Sequence, residues 1–379
     1  MFRSLISALT LILLQASRAE PMKVEGLARP VEVSLPGNHD PTKKWPAVFF
    51  YHGMGGHPTT RMIRDHTGPR DWIVVGMTFS FDGQFKYTPD NLKKELAILH
   101  SVRDQLAAKQ GLDPSRLHVS GFSQGGWVSG MFFQADRSLA GAAILGAGHM
   151  DSISPKPAPY APGTPLFLGV GRLDGVYPFA LKARLFYGKL GAGVTMETWS
   201  GLKHEFPKGG SPALKEWFAL RNGGEPDGGA LESEYQTISK LPPMEQWEAL
   251  LEFRERPYVN APGQPWPDTI RAKLAELEGT PDVAKESKVF TRHRQLLAAE
   301  INMRSLEDLS KAKVGYDVLV LEAGDSPQVP LIAADRQRVT ALLESFEAQR
   351  ANRPAPEGKP VSPSFPRNDR GIPRNPMVR

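Results

Sequence analysis

Short apolar runs alternate with helically spaced ones between residues 30 and 220. Pro30–Pro36 alternates apolar and polar positions like an edge strand, whereas Trp45–Tyr51 is apolar enough to be buried on both faces. A third strand is expected at Trp72–Phe79. The period then changes, with Leu92, Leu96, Leu99, Val102 and Leu106 at helical spacing, Thr88 as N-cap, Pro89 at the first helical position, Asp90 near the positive end and Gly111 as a stop. This helix leads into Arg116–Gly126, where Leu117 and Val119 mark a short buried strand and a helix opens at Gly125-Gly126-Trp127-Val128. Further strands are expected at Ala140–Gly146, Thr164–Gly171 and Val194–Trp199, and a closing helix at Pro212–Leu220. Strands alternating with helices predict an α/β fold with a doubly wound, mostly parallel sheet, whose sites lie at the carboxyl ends of the strands.

The texture changes after residue 222. Gly223–Gly229 reads as a linker by composition, and Met244–Arg256, Asp268–Glu278, Val283 to about Lys311, and Ala334–Ala348 read as charged amphipathic helices. The expected organisation is a catalytic domain over 20–222, a linker over 223–229, a helical accessory unit over 230–350 and a disordered, basic, proline-rich tail over 351–379. Two arrangements of the helical unit are open: a separable accessory, so that a chain ending near Pro226 folds alone, or a layer packed over the sheet. Residues 1–19 combine Arg3, the apolar run Leu5–Leu14 and small residues at Ser17 and Ala19. That is the pattern of a signal peptide cleaved after Ala19, with an uncleaved membrane anchor as the alternative, so a secreted or periplasmic protein without stable membrane insertion after cleavage is expected.

The chain has no cysteine, which excludes disulfides, thiolate metal sites and a cysteine nucleophile. Its formal charge of +5 belongs to the ends, since residues 1–19 carry two arginines without acids and residues 351–379 carry six Lys/Arg against two Asp/Glu. The body between them is close to neutral, and nothing in it reads as a nucleic-acid surface.

Candidate chemistry centres on Gly121-Phe122-Ser123-Gln124-Gly125, a G-x-S-x-G between strand and helix. Glycines two positions to either side let strand and helix approach while a strained turn exposes the serine hydroxyl, although an ordinary Gly-Ser turn carries the same letters. A serine nucleophile needs a base, a carboxylate to orient it, and donors for an oxyanion. Asp174 follows one strand and His204 the next, giving the chain order Ser, acid, His. His149 and Asp151, at another strand end, compete for these roles, whereas His118, His100 and His293 read as structural. His52-Gly53-Met54-Gly55-Gly56 follows a strand and reads as the oxyanion loop, with the amides of Met54 and Gln124 as donors. Trp127, Tyr177, Phe179 and Phe206 flank these residues and are candidates for lining an acyl pocket or for plain core. His52 and His57 lack partners at ligand spacing, so no metal site is expected, and no cofactor loop is present.

Together, Asp113–Gly126, His52-Gly53, Gly171–Pro178 and Gly201–Phe206 resemble the α/β-hydrolase superfamily, in particular secreted esterases of the feruloyl esterase and polyhydroxybutyrate depolymerase kind and then the carboxylesterase/phospholipase group. The resemblance covers about residues 30–222. It implies Ser123, Asp174 and His204 as a catalytic triad and a cofactor-free hydrolase of small-molecule or polymeric carboxylic esters. The chain departs from many secreted members in lacking cysteines, and the region after residue 230 matches no part of the pattern. A serine peptidase on the same fold and a non-catalytic binding protein with a hydrolase-like core are the alternatives.

Overall fold

The structure is a computed structural model that describes residues 19–80, 85–150, 156–303 and 305–351. Asp151, the expected tail beyond residue 351, and the expected signal peptide apart from Ala19 lie outside these residues. Eight strands form one sheet: β1 (Glu20–Met22), β2 (Val31–Ser34), β3 (Trp45–Tyr51), β4 (Ile73–Met77), β5 (Leu112–Phe122), β6 (Gly141–Leu145), β7 (Pro165–Gly171) and β8 (Gly193–Trp199), in the order β1-β2-β4-β3-β5-β6-β7-β8. β2 runs antiparallel to β1 and β4, and every pair from β4 across to β8 is parallel. The expected edge strand at 30–36 therefore sits one place inside the edge. β1, which covers it, has three residues and is too short to show a period.

Parallel neighbours need crossovers, and five helices supply or flank them: α1 (Arg61–Thr67), α2 (Pro89–Gln110), α3 (Gln124–Ala135), α4 (Tyr177–Lys189) and α5 (Pro212–Arg221). The Thr88 hydroxyl accepts from the Asn91 amide at 3.2 Å, and Gly111 stops α2 at a φ of 68°. Strand alternation divides the core. In β3, Phe49 and Tyr51 face the cluster shared with α2, α3 and α4, whereas Val48 and Phe50 face Ile63 of α1 and Leu214, Trp217 and Phe218 of α5. Full burial of each such side chain contributes roughly 1.5–3 kcal/mol, enough for this short stripe to hold α5 against the sheet. The sequence pattern named no element between Asp174 and Val194, where α4 makes the crossover from β7 to β8.

Six helices follow: α6 (Gly228–Ile238), α7 (Pro243–Phe253), α8 (Trp266–Leu277), α9 (Pro281–Ile301), α10 (Leu306–Ala323) and α11 (Val329–Ala351). α6 starts inside the expected linker, because Asp227 caps it by accepting from the amides of Gly229 and Ala230. The single helix expected over 283–311 is two, since α9 ends at Asn302 and a reciprocal capping box between Ser305 and Asp308 opens α10. These helices bury two apolar clusters of their own, one around Trp247 and Trp266 and one around Tyr316 and Ile332. They also reach the sheet domain. Leu297 of α9 lies in the main core, Arg256 bridges Glu216 of α5 and Glu234 of α6, and Arg172 pairs with Asp335 of α11 at 2.7 Å. A chain ended near Pro226 would leave Glu216 and Arg172 without these partners. Among the described residues, no helix is long and apolar enough to cross a membrane.

Candidate active site

Ser123 stands between β5 and α3 with φ 56° and ψ −119°, and among the described residues no other non-glycine has a positive φ. The flanking glycines are required by contact rather than by flexibility. A Cβ on Gly121 would lie 2.3 Å from the Gly125 carbonyl carbon, and one on Gly125 would lie 1.9 Å from the Tyr51 oxygen. Strand and helix meet so closely that the chain must turn sharply at position 123, which turns the serine outward. The Ser123 amide donates to the Leu145 carbonyl at 2.9 Å and anchors the turn to β6.

Asp174 follows β7 and His204 lies in the loop after β8. His204 Nδ1 is 2.7 Å from Asp174 Oδ2, and Nε2 is 2.8 Å from Ser123 Oγ. An ionised carboxylate only accepts, so Nδ1–H donates to Asp174 and leaves Nε2 to accept from the serine hydroxyl. The other Asp174 oxygen accepts from the Val176 amide at 3.0 Å, fixing the carboxylate plane. Asp174 is 3% exposed and the His204 side chain 42%, an interior acid serving a ring that faces solvent. The two loops are stitched together: the Arg172 amide donates to the Trp199 carbonyl and the Leu173 amide to the Leu202 carbonyl, both at 2.9 Å. Gly171 permits this, since a Cβ there would lie 2.1 Å from the Lys203 oxygen.

The loop after β3 closes over the serine, with the Cβ position of Gly53 3.4 Å from that of Ser123. His52 Nδ1–H donates to the Gly53 carbonyl at 2.7 Å and the Gly56 amide donates to the same oxygen at 3.0 Å, making a tight turn. Burial pushes the His52 pKa down and favours the neutral ring in this structural role. Gln124 is the first residue of α3, where a backbone amide has no partner within its helix. Its side-chain Oε1 accepts from the Phe85 amide at 2.9 Å and pins the chain beside the site. Gln124 thus follows Ser123 directly in the chain, and the loop that carries Met54 meets Ser123 at Gly53.

Among the other expected site residues, Trp127 is half-buried one turn beyond Ser123, with its ring edge-on to Phe179 at 5.7 Å. Tyr177 is buried and its ring face carries the Arg172 guanidinium 4.5 Å away. Phe206 packs on Trp199 and His66, and lines a cavity of about 520 Å³ together with Trp199, Glu205, Lys208 and Glu252. The cavity lies beside the His204 loop and does not include Ser123. The competing His149 is buried in a stack on Phe186 with ring centres 3.6 Å apart. Two contacts of the site carry no signal in the sequence pattern. The Phe122 ring lies 5.3 Å from that of His204, and the Val176 amide holds Asp174. Phe122 is the variable position of the G-x-S-x-G, so the motif itself gives no reason to pick it. Among the described residues, no group of three or more His, Cys, Asp or Glu is placed to hold a metal ion.

The strand order with β2 antiparallel, the sharp turn at Ser123 and the order Ser, Asp, His at the ends of β5, β7 and β8 define an α/β-hydrolase fold. Solved structures similar to part of the chain include a carboxylesterase of Bacillus cereus, at 18% identity with a TM-score of 0.42, over 50% of this chain and 93% of that one. Esterase 2 of Thermogutta terrifontis, in a structure described as phosphorylated by paraoxon, is 19% identical with a TM-score of 0.41, over 54% of this chain and 92% of its own. A phospholipase/carboxylesterase from Dyadobacter fermentans is 16% identical with a TM-score of 0.38, over 54% and 96%. No family model matches the sequence, and no curated protein matches it.

Proposed function

We propose that the protein is a serine hydrolase of carboxylic esters, and the observation that carries this reading is the continuous relay Ser123 Oγ, His204 Nε2, His204 Nδ1, Asp174 Oδ2 at bond lengths of 2.8 and 2.7 Å. In this reading Ser123 Oγ attacks the ester carbonyl carbon as His204 Nε2 takes its proton. The carbonyl oxygen becomes an oxyanion that faces the amides of Met54 and Gln124. Collapse of the tetrahedral species breaks the bond to the alkoxy oxygen, and His204 returns the proton to the departing alcohol. Water then repeats the sequence on the acyl-serine and releases the acid. Asp174 holds the ring in the accepting tautomer and stabilises its charged form. The exposure of His204 supports a site open to a bulky or polymeric ester. The pattern of residues 1–19 supports an exported protein as part of the same proposal.

The test is covalent labelling with a fluorophosphonate followed by peptide mapping, together with the rate of p-nitrophenyl ester hydrolysis. Ser123 is expected to carry the label, and Ser123→Ala to lower turnover on the order of a million-fold. A Ser123→Ala protein that keeps most of its rate would overturn the proposal. An amide of the same acyl group, run in parallel, decides between esterase and peptidase.

A further inference from the structure

We infer that the C-terminal helices are part of the catalytic apparatus, and that Arg172, clamped by Asp335 of α11, is a positioning residue for Asp174 and His204. This rests on the esterase reading and deepens it. Arg172 lies two residues before Asp174, and its amide makes one of the two bonds that tie the acid loop to the His204 loop. Its guanidinium leaves the sheet domain and grips Asp335 with both nitrogens, Nη1 at 3.2 Å from Oδ1 and Nη2 at 2.7 Å from Oδ2. The same guanidinium covers the ring of Tyr177, whose amide donates to the Asp174 carbonyl at 3.0 Å. One cation therefore braces the acid's turn at its first residue and at the start of α4.

Asp335 is itself held from three sides. His293 Nε2 lies 2.7 Å from Oδ2, Arg338 reaches Oδ1, and Arg338 is fixed in turn by Glu300, with Nε 3.0 Å from Oε1 and Nη2 2.5 Å from Oε2. The Tyr316 hydroxyl donates to Glu300 at 3.1 Å. Two guanidinium groups face two carboxylates, and His293 Nε2–H donates to Asp335, because a carboxylate only accepts. The 3.3 Å approach of Arg172 Nη2 to the same nitrogen is then a contact between two donors. Burial pushes the Asp335 carboxyl up, but the bond from His293 and the charges of Arg338 and Arg172 outweigh it and hold the carboxyl well below its usual range. All six side chains are buried.

A buried ionic cluster is weak evidence for stability, since apolar residues of similar volume serve as well or better. What it supplies is direction. A bidentate guanidinium–carboxylate pair fixes distance and orientation, whereas an apolar contact tolerates sliding. Here the directed pair ends two residues from the group that orients the catalytic histidine. Asp335 thus gives α11, far along the chain, a hold on the acid.

The experiment uses the full chain carrying Arg172→Met, Arg172→Lys, Asp335→Asn, the Met/Asn double variant, and Arg184→Ala as a control. Arg184, within α4, also pairs with the C-terminal region, meeting Glu255 just past α7 at 3.3 Å, and shares none of the contacts that brace Asp174. Melting and near-ultraviolet circular dichroism establish folding, and kcat, KM and the rate of fluorophosphonate labelling at Ser123 are measured. Misplacing a catalytic group by about 1 Å costs about a hundred-fold, and that loss in kcat is expected for Arg172→Met and Asp335→Asn. KM should stay within about three-fold and labelling should slow in step with kcat, because ground-state binding is untouched. The double variant should be no worse than the worse single one, Arg172→Lys should recover part of the rate, and Arg184→Ala should match the parent. Folded Asp335→Asn and Arg172→Lys proteins with parental kcat would overturn the inference while leaving Ser123 labelled and the esterase reading intact. If Arg172→Met does not fold, these two variants still decide. Failure of the esterase reading is seen separately, as an active Ser123→Ala protein.

Discussion

The backbone at Ser123 makes a stability prediction that is independent of any substrate. With φ 56° and ψ −119°, the residue occupies a region that side chains rarely enter, at a cost of about 1–3 kcal/mol. Ser123→Ala removes Oγ and its 2.8 Å bond to His204 but keeps the Cβ, and with it the strain. Ser123→Gly removes the same bond and also releases the strain. Against that gain stands the wider freedom of glycine in the unfolded chain, about 0.5–1 kcal/mol relative to alanine. The difference leaves Ser123→Gly more stable than Ser123→Ala by about 1 kcal/mol, taking the middle of each range. Both variants should be catalytically dead. Urea unfolding reads the comparison directly, as a higher midpoint for the glycine variant at an unchanged slope. A glycine variant no more stable than the alanine one would refute the strain argument. With it would fall the view that the turn trades stability for an exposed hydroxyl.

Two further outcomes follow from the same geometry. Asp174→Asn retains an oxygen for the Val176 amide but can turn an NH₂ toward His204 Nδ1; this favours the tautomer that cannot accept from Ser123, so kcat should fall roughly ten-thousand-fold with melting nearly unchanged, and a loss below about ten-fold would remove Asp174 from the role. His118, buried in β5 against Trp72 and Trp217, has its pKa pushed down to about 4 by burial, so its neutral form is favoured by folding. With an unfolded value near 6.5, its contribution is complete above about pH 6.5, is lost as pH falls toward 4, and amounts to about 3 kcal/mol over that window. Urea unfolding between pH 7.5 and 4.5 should show the parent losing about that much more stability than His118→Phe, and parallel curves would contradict the assignment.

What the sequence made legible was local or repeated. The glycines around Ser123 announce a turn because the contact between Gly121 and Gly125 falls within a stretch of five residues, whereas the approach of Gly125 to Tyr51 joins α3 to a strand distant in the chain and is not written locally. The order Ser123, Asp174, His204 is legible because each follows an apolar run. Shape alone hid other parts. β1 is too short for periodicity, and the break at Asn302–Ser305 interrupts a helical pattern that continues on both sides. Tyr177 reads as an aromatic close to Asp174 and stands there, but its face belongs to Arg172. Aromatic character is written in the letters, whereas the neighbour that takes each face is set by the fold.

Arg172 shows where such reading stops. In Gly171-Arg172-Leu173-Asp174 an arginine beside a loop aspartate reads as a solvated charge, because nothing within reach along the chain would bury it. Its partner lies 163 positions away, in a helix whose own pattern is that of a charged amphipathic surface. A charge can be buried only where opposite charge and donors converge on it, and those groups come from α9, α10 and α11 together. No single segment therefore carries the signal. The cluster exists only once the C-terminal helices and the acid loop share one interior, which is why its effect is to be sought in the geometry of Asp174 rather than in any motif.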